Sequence, residues 1–340
     1  MITLKVESAE LNGKTVLKIV LEEGEEAIII SDTHFGLRIK GNYATSYRQL
    51  AKLAEYIREK GKQIKLVVLL GDIFDFWQAD ASDLMNSSYE FIRELMKLDA
   101  TIVYAAGNHD RIVAKIALRS SKGDIYVVPD FFLLKSGGKT FLLIHGHQFD
   151  RLFLATKGLW KIQSYIYTLS EALLALPGPL EWGIAILSAL STVTLVYVTP
   201  PLPHPLDLIF YYASAVLILP LIILVWRTLQ SKFWYLLIKP LSASVLKGRT
   251  RGKTLGQLIK KKSFVKYIEF YKSIINPLDG IIFGHTHVPG VIKWNNLLIA
   301  NTGSWIREKE ALCNTFIKIS NGEIKLYQWK QGKAKNIATL

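Results

Sequence analysis

Seven side chains that can ligate a metal ion each follow an apolar, strand-like run of the sequence. They offer carboxylate oxygens, one amide oxygen and imidazole nitrogens: Asp32, His34, Asp72, Asn108, His145, His285 and His287. In α/β sheets ligands bind outside the carboxyl ends of the strands, so these side chains should converge on one rim. The mixture of oxygen and nitrogen donors suits Mn²⁺, Fe²⁺ or Zn²⁺, and the lack of thiolates argues against a structural zinc knuckle.

This set of ligands is too large for one ion and suits two ions that share a carboxylate. Two ions about 3.5–4 Å apart can hold a phosphate oxygen between them, activate a water molecule and stabilise the charge of an in-line displacement. The residue types therefore predict hydrolysis of a phosphate ester or of a pyrophosphate, since the same two ions would serve either bond.

Apolar runs alternate with helical patterns between residues 27 and 144. The runs AIIIS, IKLVVLLGD, TIVYAAGN and TFLLIHG are typical of buried strands, whereas TSYRQLAKLAEYIREKG and SDLMNSSYEFIRELMKLD place apolar residues at helical spacing. The N-terminal residues predict a β-hairpin around Asn12 and Gly13, and they lack the charged lead and apolar run of a signal peptide. The pattern predicts an α/β layered fold.

Five short motifs, DTHFG, GDIFD, GNHD, HGHQFD and GHTH, occur in this order, each after a strand-like run. Together they resemble the five motifs of the calcineurin-like metallophosphoesterases, over roughly residues 27–150 and 270–305. The resemblance implies the fold of that family, a layered β-sandwich flanked by helices. It also implies a metal-dependent hydrolase of phosphoric esters or pyrophosphates with two divalent ions, manganese before iron or zinc.

The resemblance further implies a role for each residue. Asp32, His34, Asp72 and His287 would bind one ion, and Asp72, Asn108, His145 and His285 would bind the other, with Asp72 bridging. His109 would protonate the leaving oxygen or stabilise the transition state, and Asp75 would orient His109 from behind. Metal-activated hydroxide would be the nucleophile. The second histidine of HGH, His147, is either a further ligand or a contact to one.

Among the subfamilies, DTHFG, GDIFDFW and the long insert before GHTH are similar to the UDP-2,3-diacylglucosamine hydrolases, which cleave a lipid-linked pyrophosphate at the membrane. This chain departs from their pattern at His109, where they normally have Arg, and at His147, where they have Asp. The resemblance implies a phosphate ester or pyrophosphate of a lipid or lipid-linked nucleotide as the substrate.

The insert, residues 151–263, differs in composition from the two parts of the predicted catalytic domain, 1–150 and 264–340. The chain carries a net charge of +14 and has a mean hydropathy of +0.23, and about +10 of the charge falls in the insert. Two uncharged runs, extended to about 180–199 and 207–227, predict two transmembrane helices; a hairpin buried in a soluble protein is the alternative. Lys and Arg flank both runs but not their link, which predicts a cytoplasmic catalytic domain at the cell membrane.

The insert also predicts the partners. Residues 151–176 should form an amphipathic approach to the membrane, and the basic residues 239–262 should rest on anionic headgroups. Aromatic residues that would stack on bases are missing from the basic segment before Phe264, which argues against nucleic acid.

Three functions fit these patterns. The first is a membrane-anchored phosphoesterase with a lipid substrate, and the second is a tethered phosphodiesterase or nuclease that acts on soluble substrates. The third is a non-catalytic scaffold, which would be expected to have lost ligands that this chain retains. Lesser candidates for substrate contact are Arg38, Trp77, Arg111 and Asn301.

Overall fold

The structure is a computed structural model that describes residues 4–60, 63–76, 79–110, 113, 125–149, 178–233, 252–307 and 312–340. The chain divides into two compact units. The first comprises Met1–Ala155 and Gly248–Leu340, and the second comprises Thr156–Lys247. All of the predicted metal ligands lie in the first unit, whereas the two uncharged runs lie in the second.

Strands make up most of the regular secondary structure described in the first unit. Along the chain they are β1 (Lys5–Leu11), β2 (Lys14–Val20), β3 (Glu26–Ile30), β4 (Arg38–Ile39), β5 (Asn42–Tyr43), β6 (Ile64–Leu70), β7 (Thr101–Ala105), β8 (Ile125–Val128), β9 (Phe131–Ser136), β10 (Lys139–Ile144), β11 (Gly280–Phe283), β12 (Gly290–Trp294), β13 (Leu297–Asn301), β14 (Thr315–Ser320), β15 (Glu323–Lys330) and β16 (Lys333–Thr339). β1 and β2 form the hairpin predicted around Asn12 and Gly13.

The long strands form two sheets, and β4 and β5 pair as a separate ribbon. One sheet has the order β16-β15-β14-β3-β6-β7-β8, and the other has the order β1-β2-β9-β10-β11-β13-β12. β3, β6, β7 and β8 run parallel to one another, as do β10, β11 and β13. Parallel strands bring their carboxyl ends to the same edge, so the loops that carry the five motifs meet at the rim of the sheets.

The main core lies between the two sheets. Ile29, Val68 and Val103 of one sheet share a buried cluster with Phe141 and Ile282 of the other. Successive side chains of a strand point to opposite faces, so the neighbouring residues of β3, β6 and β7 face outward towards helices. Both faces of these strands are buried, which explains their uninterrupted apolar sequence. The predicted layered β-sandwich flanked by helices is confirmed.

The helices are α1 (Tyr47–Lys60), α2 (Ala81–Leu95), α3 (Gly178–Val198), α4 (Leu206–Phe233), α5 (Leu255–Leu258) and α6 (Lys262–Ile274), with a short 3₁₀ helix at His147–Phe149. α1 and α2 cover the outer face of the β3-β6-β7 sheet, and Asp80 caps α2 by accepting a hydrogen bond from Asp83 N at 2.8 Å. α5 and α6 cover the outer face of the other sheet through Leu258, Phe264 and Ile268. The result is a four-layer arrangement.

In the second unit, α3 and α4 pack against each other as a helical hairpin, and the link between them contains His204. The buried side chains between them include the small residues Ala185, Ala189 and Thr192 and the larger Leu224. The Ser188 hydroxyl donates a hydrogen bond across the pair to Leu217 O at 2.9 Å. Many of the hairpin's large apolar side chains, such as Leu187 and Tyr212, are exposed instead. An outer surface of this kind is unusual for a protein in water.

The predicted transmembrane hairpin is not supported as such. Within the stretches of chain described, we find no helix that combines the length and the apolar character needed to cross a lipid bilayer. The predicted amphipathic segment 151–176 and most of the basic segment 239–262 lie outside the described residues.

The close packing of β11 between β10 and β13 makes a direct stability prediction. A Cβ atom at Gly280 would lie 2.6 Å from the Phe141 ring and 2.9 Å from Leu298 O. We expect Gly280→Ala to lower the free energy of unfolding by about 1–3 kcal/mol, measured by denaturant titration. Gly256→Ala in α5 is the control, because its nearest neighbour would be Thr254 Oγ1 at 4.0 Å. Equal stability of the two variants would contradict the packing described.

Candidate metal centre

The predicted ligands lie in loops that directly follow parallel strands. Asp32 and His34 follow β3, Asp72 follows β6, Asn108 follows β7, His145 follows β10, and His285 and His287 follow β11. These loops leave the carboxyl ends of parallel strands, so the candidate ligands lie at one rim of the sheets.

Two groups of residues bring metal-binding atoms together, and each has three members. Asp32, His34 and His287 form one group, and Asp72, His145 and His285 form the other; within each group the ligand atoms lie within 4.8 Å of one another. A third combination, His34 with Asp72 and His109, links the two groups through shared members. The structure thus brings together all of the predicted carboxylate and imidazole ligands.

Asp72 belongs to the group with His145 and His285 but also lies close to the other group. Its Oδ2 atom is 3.2 Å from His145 Nε2 and 3.8 Å from His34 Nε2, which belong to different groups. Its other oxygen, Oδ1, accepts a hydrogen bond from the His109 backbone N–H at 2.9 Å. A carboxylate in this position is suited to bridge two ions.

Several buried polar atoms of the centre lack a hydrogen-bond partner within the described parts of the chain. They are Asp32 Oδ1, His34 Nε2, Asn108 Oδ1 and His145 Nε2. A buried polar atom without a partner costs about 1–3 kcal/mol. All four atoms are good ligands for a divalent cation, and one pair of ions would satisfy them together. The residues present therefore fit two divalent ions.

The second ring nitrogen of two candidate ligands, His145 and His34, shows which tautomer the site requires. His145 Nδ1 donates to Leu70 O at 2.9 Å, which turns Nε2 towards Asp72. His34 Nδ1 lies 3.0 Å from the carboxylate of Asp75, which leaves its Nε2 facing the centre. Outer hydrogen bonds of this kind fix the orientation of a ligand imidazole and raise its basicity.

The backbone at the ligands is strained. Asp32, His34, Asp72, His285 and His287 all have positive φ, between 46° and 66°. Residues other than glycine adopt this region at a cost of order 1–3 kcal/mol each, and they do so mainly at functional sites. Hydrogen bonds between loops hold the conformation, including Asp32 N to Gly71 O and His34 N to Asp72 O. Hydrogen bonding between the loops therefore offsets part of the cost of this conformation.

The charges of the carboxylates follow from their neighbours. Burial raises the pKa of Asp75, but the imidazoles of His109 and His34 outweigh it and hold that pKa well below its usual range. Burial also raises the pKa of Asp32, but the neighbouring imidazoles of His287 and His145 outweigh it and lower that pKa to about 2. Asp72 has a pKa well below the usual range because His145 and His109 outweigh its desolvation. These groups remain anionic acceptors at neutral pH.

Sequence reasoning missed a second buried carboxylate behind the centre. Asp110, the last residue of GNHD, accepts hydrogen bonds from Ile73 N at 2.7 Å, from Gly107 N at 2.6 Å and from the Tyr104 hydroxyl. Burial, followed by the charge of Asp72, raises its pKa to about 6. Its place in the motif was the available signal, and its role is to join the loops after β6 and β7.

The other residues predicted to lie near the site are not members of the groups of candidate ligands. The ring of His147 lies 5.5 Å from that of His145 and 6.4 Å from that of His285, but His147 belongs to none of the ligand groups found among the described residues. Asn301 is buried and donates to Gly284 O at 2.7 Å, so it braces the loop before His285. Arg38 pairs with Asp83. Trp77 and Arg111 lie outside the described residues.

Comparison with known proteins agrees with this centre. Residues 27–183 match the model of the family described as calcineurin-like phosphoesterase. The UDP-2,3-diacylglucosamine hydrolase of Neisseria gonorrhoeae is 29% identical over 122 residues, which are 35% of this chain and 49% of that protein. The enzyme of the same name from Ralstonia nicotianae is 23% identical over 175 residues, 51% of this chain and 61% of that protein.

The matched regions span about half to three fifths of the length of these two relatives. Among solved structures, a dimetal phosphatase from Danio rerio has a TM-score of 0.41 and 14% identity, over 94% of this chain and 98% of that chain. The family match and the ligand groups support a metal-dependent phosphoester hydrolase. Over residues 27–183 this chain is thus similar to the calcineurin-like phosphoesterases.

Proposed function

We propose that the protein hydrolyses a phosphate ester or pyrophosphate of a lipid or lipid-linked nucleotide with the help of two divalent ions, manganese first among them. The observation that carries the proposal is the position of Asp72 between two groups of ligand atoms. Two ions bound there would polarise the phosphoryl group, activate water and stabilise the charge of an in-line displacement. The side chains of the protein would hold the two ions and supply a proton donor.

The ligands divide between the two positions as the geometry groups them. Asp32, His34 and His287 would hold one ion, and His145 and His285 would hold the other, with Asp72 shared. Asn108 would complete the second position through its buried Oδ1 atom. This division agrees with the one that the family resemblance implies.

His109 is the proposed proton donor to the leaving oxygen. Its Nδ1 atom lies 3.1 Å from Asp75 Oδ1, and Asp75 is an anionic acceptor, so Nδ1 must carry a proton. The other ring nitrogen, Nε2, is then the atom that delivers a proton during the reaction. Asp75 has no need to touch the substrate and acts by orienting His109.

Two observations support a lipid-linked substrate. The relatives named above are UDP-2,3-diacylglucosamine hydrolases, and the structure contains a hairpin whose outer surface is apolar. Leu187, Leu190 and Val193 of α3 and Ile209 and Tyr212 of α4 are each more than half exposed. Small and weakly polar residues inside with large apolar residues outside are typical of helices packed in lipid.

We therefore propose that the hairpin contacts the hydrocarbon region of a membrane and keeps the catalytic unit close to its substrate. The excess of Lys and Arg on both sides of the hairpin favours the cytoplasmic face of the cell membrane for that unit. In the alternative function the hairpin is only a tether, and the enzyme cleaves soluble phosphodiesters or nucleic acid.

The choice of substrate can be measured on the full chain, purified in detergent and supplied with Mn²⁺. Lipid-linked pyrophosphates, lipid phosphates, soluble diesters and DNA are offered in parallel, and release of phosphate or nucleotide is followed. We expect a lipid substrate to be preferred, and we expect Asp72→Asn to reduce hydrolysis to background because the shared ligand is lost. Faster cleavage of soluble diesters or DNA would favour the tethered alternative.

Removing the proposed proton donor, His109, should lower the rate of hydrolysis without removing the bound ions. We expect His109→Ala to lower kcat by roughly 10²–10⁴-fold, the usual contribution of general acid catalysis. The Asp72 carboxylate keeps its hydrogen bond from the His109 backbone N–H in this variant, so Mn²⁺ should still bind at two sites. A substrate whose leaving group needs no proton, such as p-nitrophenyl phosphate, should be affected much less. An equal loss on both kinds of substrate would contradict the assignment.

Membrane contact by the hairpin predicts sensitivity to charge on its outer face. An Asp near the centre of a helix in lipid costs about 2.5–3.5 kcal/mol, so Leu187→Asp should weaken association with anionic phospholipid vesicles by about 100-fold. Vesicle co-sedimentation measures the effect. His204→Asp, in the exposed link between the helices, is the matched control and should bind like the parent protein. Unchanged association of Leu187→Asp would refute membrane contact through this face.

A further inference from the structure

One buried carboxylate serves two imidazoles of the metal centre. Asp75 Oδ2 lies 3.0 Å from His34 Nδ1, and Asp75 Oδ1 lies 3.1 Å from His109 Nδ1. The two rings stand edge to face with their centroids 4.8 Å apart. Asp75 has no exposed surface, while His109 retains a side-chain exposure of 10%. The proposed ion ligand and the proposed proton donor are therefore held by the same group.

The carboxylate is fixed by the loops around it. Asp75 N donates to Phe35 O at 3.0 Å, and Phe35 N donates to Ile73 O at 2.8 Å, so the loops after β3 and β6 are joined on both sides of the acid. Ala79 N, ahead of α2, donates to Asp75 O at 3.0 Å. These hydrogen bonds fix the backbone of Asp75. A shift of its carboxylate towards one imidazole therefore changes its distance to the other.

We infer that Asp75 is a positioning residue for both histidines and that it couples ion binding at His34 to the hydrogen bonding of His109. The inference rests on the proposed function, since it takes His34 as an ion ligand. When Nε2 of a histidine binds a cation, its Nδ1–H becomes a stronger donor and draws more strongly on its acceptor. Asp75 then has less charge to offer His109.

Coupling between two sites is reciprocal, so the effect can be measured from the side of the ion. Without the His109 ring, one competing donor to the Asp75 carboxylate is lost, and the hydrogen bond from His34 Nδ1 becomes stronger. The His34 imidazole becomes more basic, and the ion it ligates binds more tightly. A simple loss of packing at His109 predicts weaker or unchanged ion affinity, so the direction of the change distinguishes the two explanations.

The test is a double-mutant cycle in Mn²⁺ affinity, measured by isothermal titration of the full chain. We expect Asp75→Asn to weaken one of the two Mn²⁺ sites by about 10–100-fold, as for other outer partners of metal ligands. His109→Ala should tighten that site by about five-fold, at the lower end of typical coupling. In the Asp75→Asn background, His109→Ala should have no effect. Each measurement is independent of catalysis.

His147→Ala is the matched control, because it removes another imidazole of the centre whose ring lies against His145 and His285. Its effect on Mn²⁺ affinity should add to that of Asp75→Asn. Additive effects of His109→Ala and Asp75→Asn would overturn the coupling. If Asp75→Asn does not fold, His109→Ala alone decides, since unchanged or weaker Mn²⁺ binding also overturns it. Absence of Mn²⁺ binding by the parent protein would instead refute the proposed function.

Discussion

The centre depends on burying the carboxylate of Asp72 between imidazoles that come from different strands. A buried charge is stable only when it is paired and hydrogen-bonded. Asp72 accepts a hydrogen bond from the backbone N–H of His109, and its Oδ2 atom faces the Nε2 atoms of His145 and His34, which leaves a divalent cation to complete the pairing. This requirement reaches into the backbone around it. A Cβ atom at Gly107 would lie 2.2 Å from Asp72 Oδ1, and one at Gly71 would lie 2.5 Å from His145 Nδ1, so both positions must lack a side chain.

The two sheets provide the rigid support on which the strained loops of the centre depend. The ligands occupy left-handed backbone conformations that cost of order 1–3 kcal/mol each, and only a rigid surrounding structure can maintain them. That rigidity comes from strands that are buried on both faces and locked in register, for example Val67 opposite Ile28 and Ile102. Substitutions deep in the sheets should therefore affect the geometry of the centre as well as stability.

Much of this arrangement could be read from the sequence. Apolar runs that end in polar clusters predicted the strands and their shared rim, and the five motifs predicted candidate ligands whose carboxylate and imidazole side chains lie close together in the structure. The connections behind the ligands could not be read in the same way. The contact of Asp75 with His34 and the buried position of Asp110 depend on how separate loops pack, which no local pattern encodes.

For the hairpin, the sequence predicted the helices but not which of their faces is exposed. Its helices were expected from their apolar composition, but composition alone does not separate a membrane crossing from an apolar surface, and the predicted crossing is not supported. What the structure adds is which residues face outward: Leu187, Leu190 and Val193 are exposed, whereas Ala185 and Thr192 are buried. Which apolar side chains are exposed depends on how the two helices pack, and composition does not determine that.

The central claim, two ions joined by Asp72, is tested most directly by electron paramagnetic resonance of the protein loaded with Mn²⁺. Two ions that share a carboxylate are close enough for magnetic exchange, so the account predicts two Mn²⁺ per chain with the multiline spectrum of a coupled pair. Asp72→Asn should abolish that coupling. A spectrum of isolated Mn²⁺ at full loading of the parent protein would contradict a shared carboxylate and the dinuclear mechanism built on it.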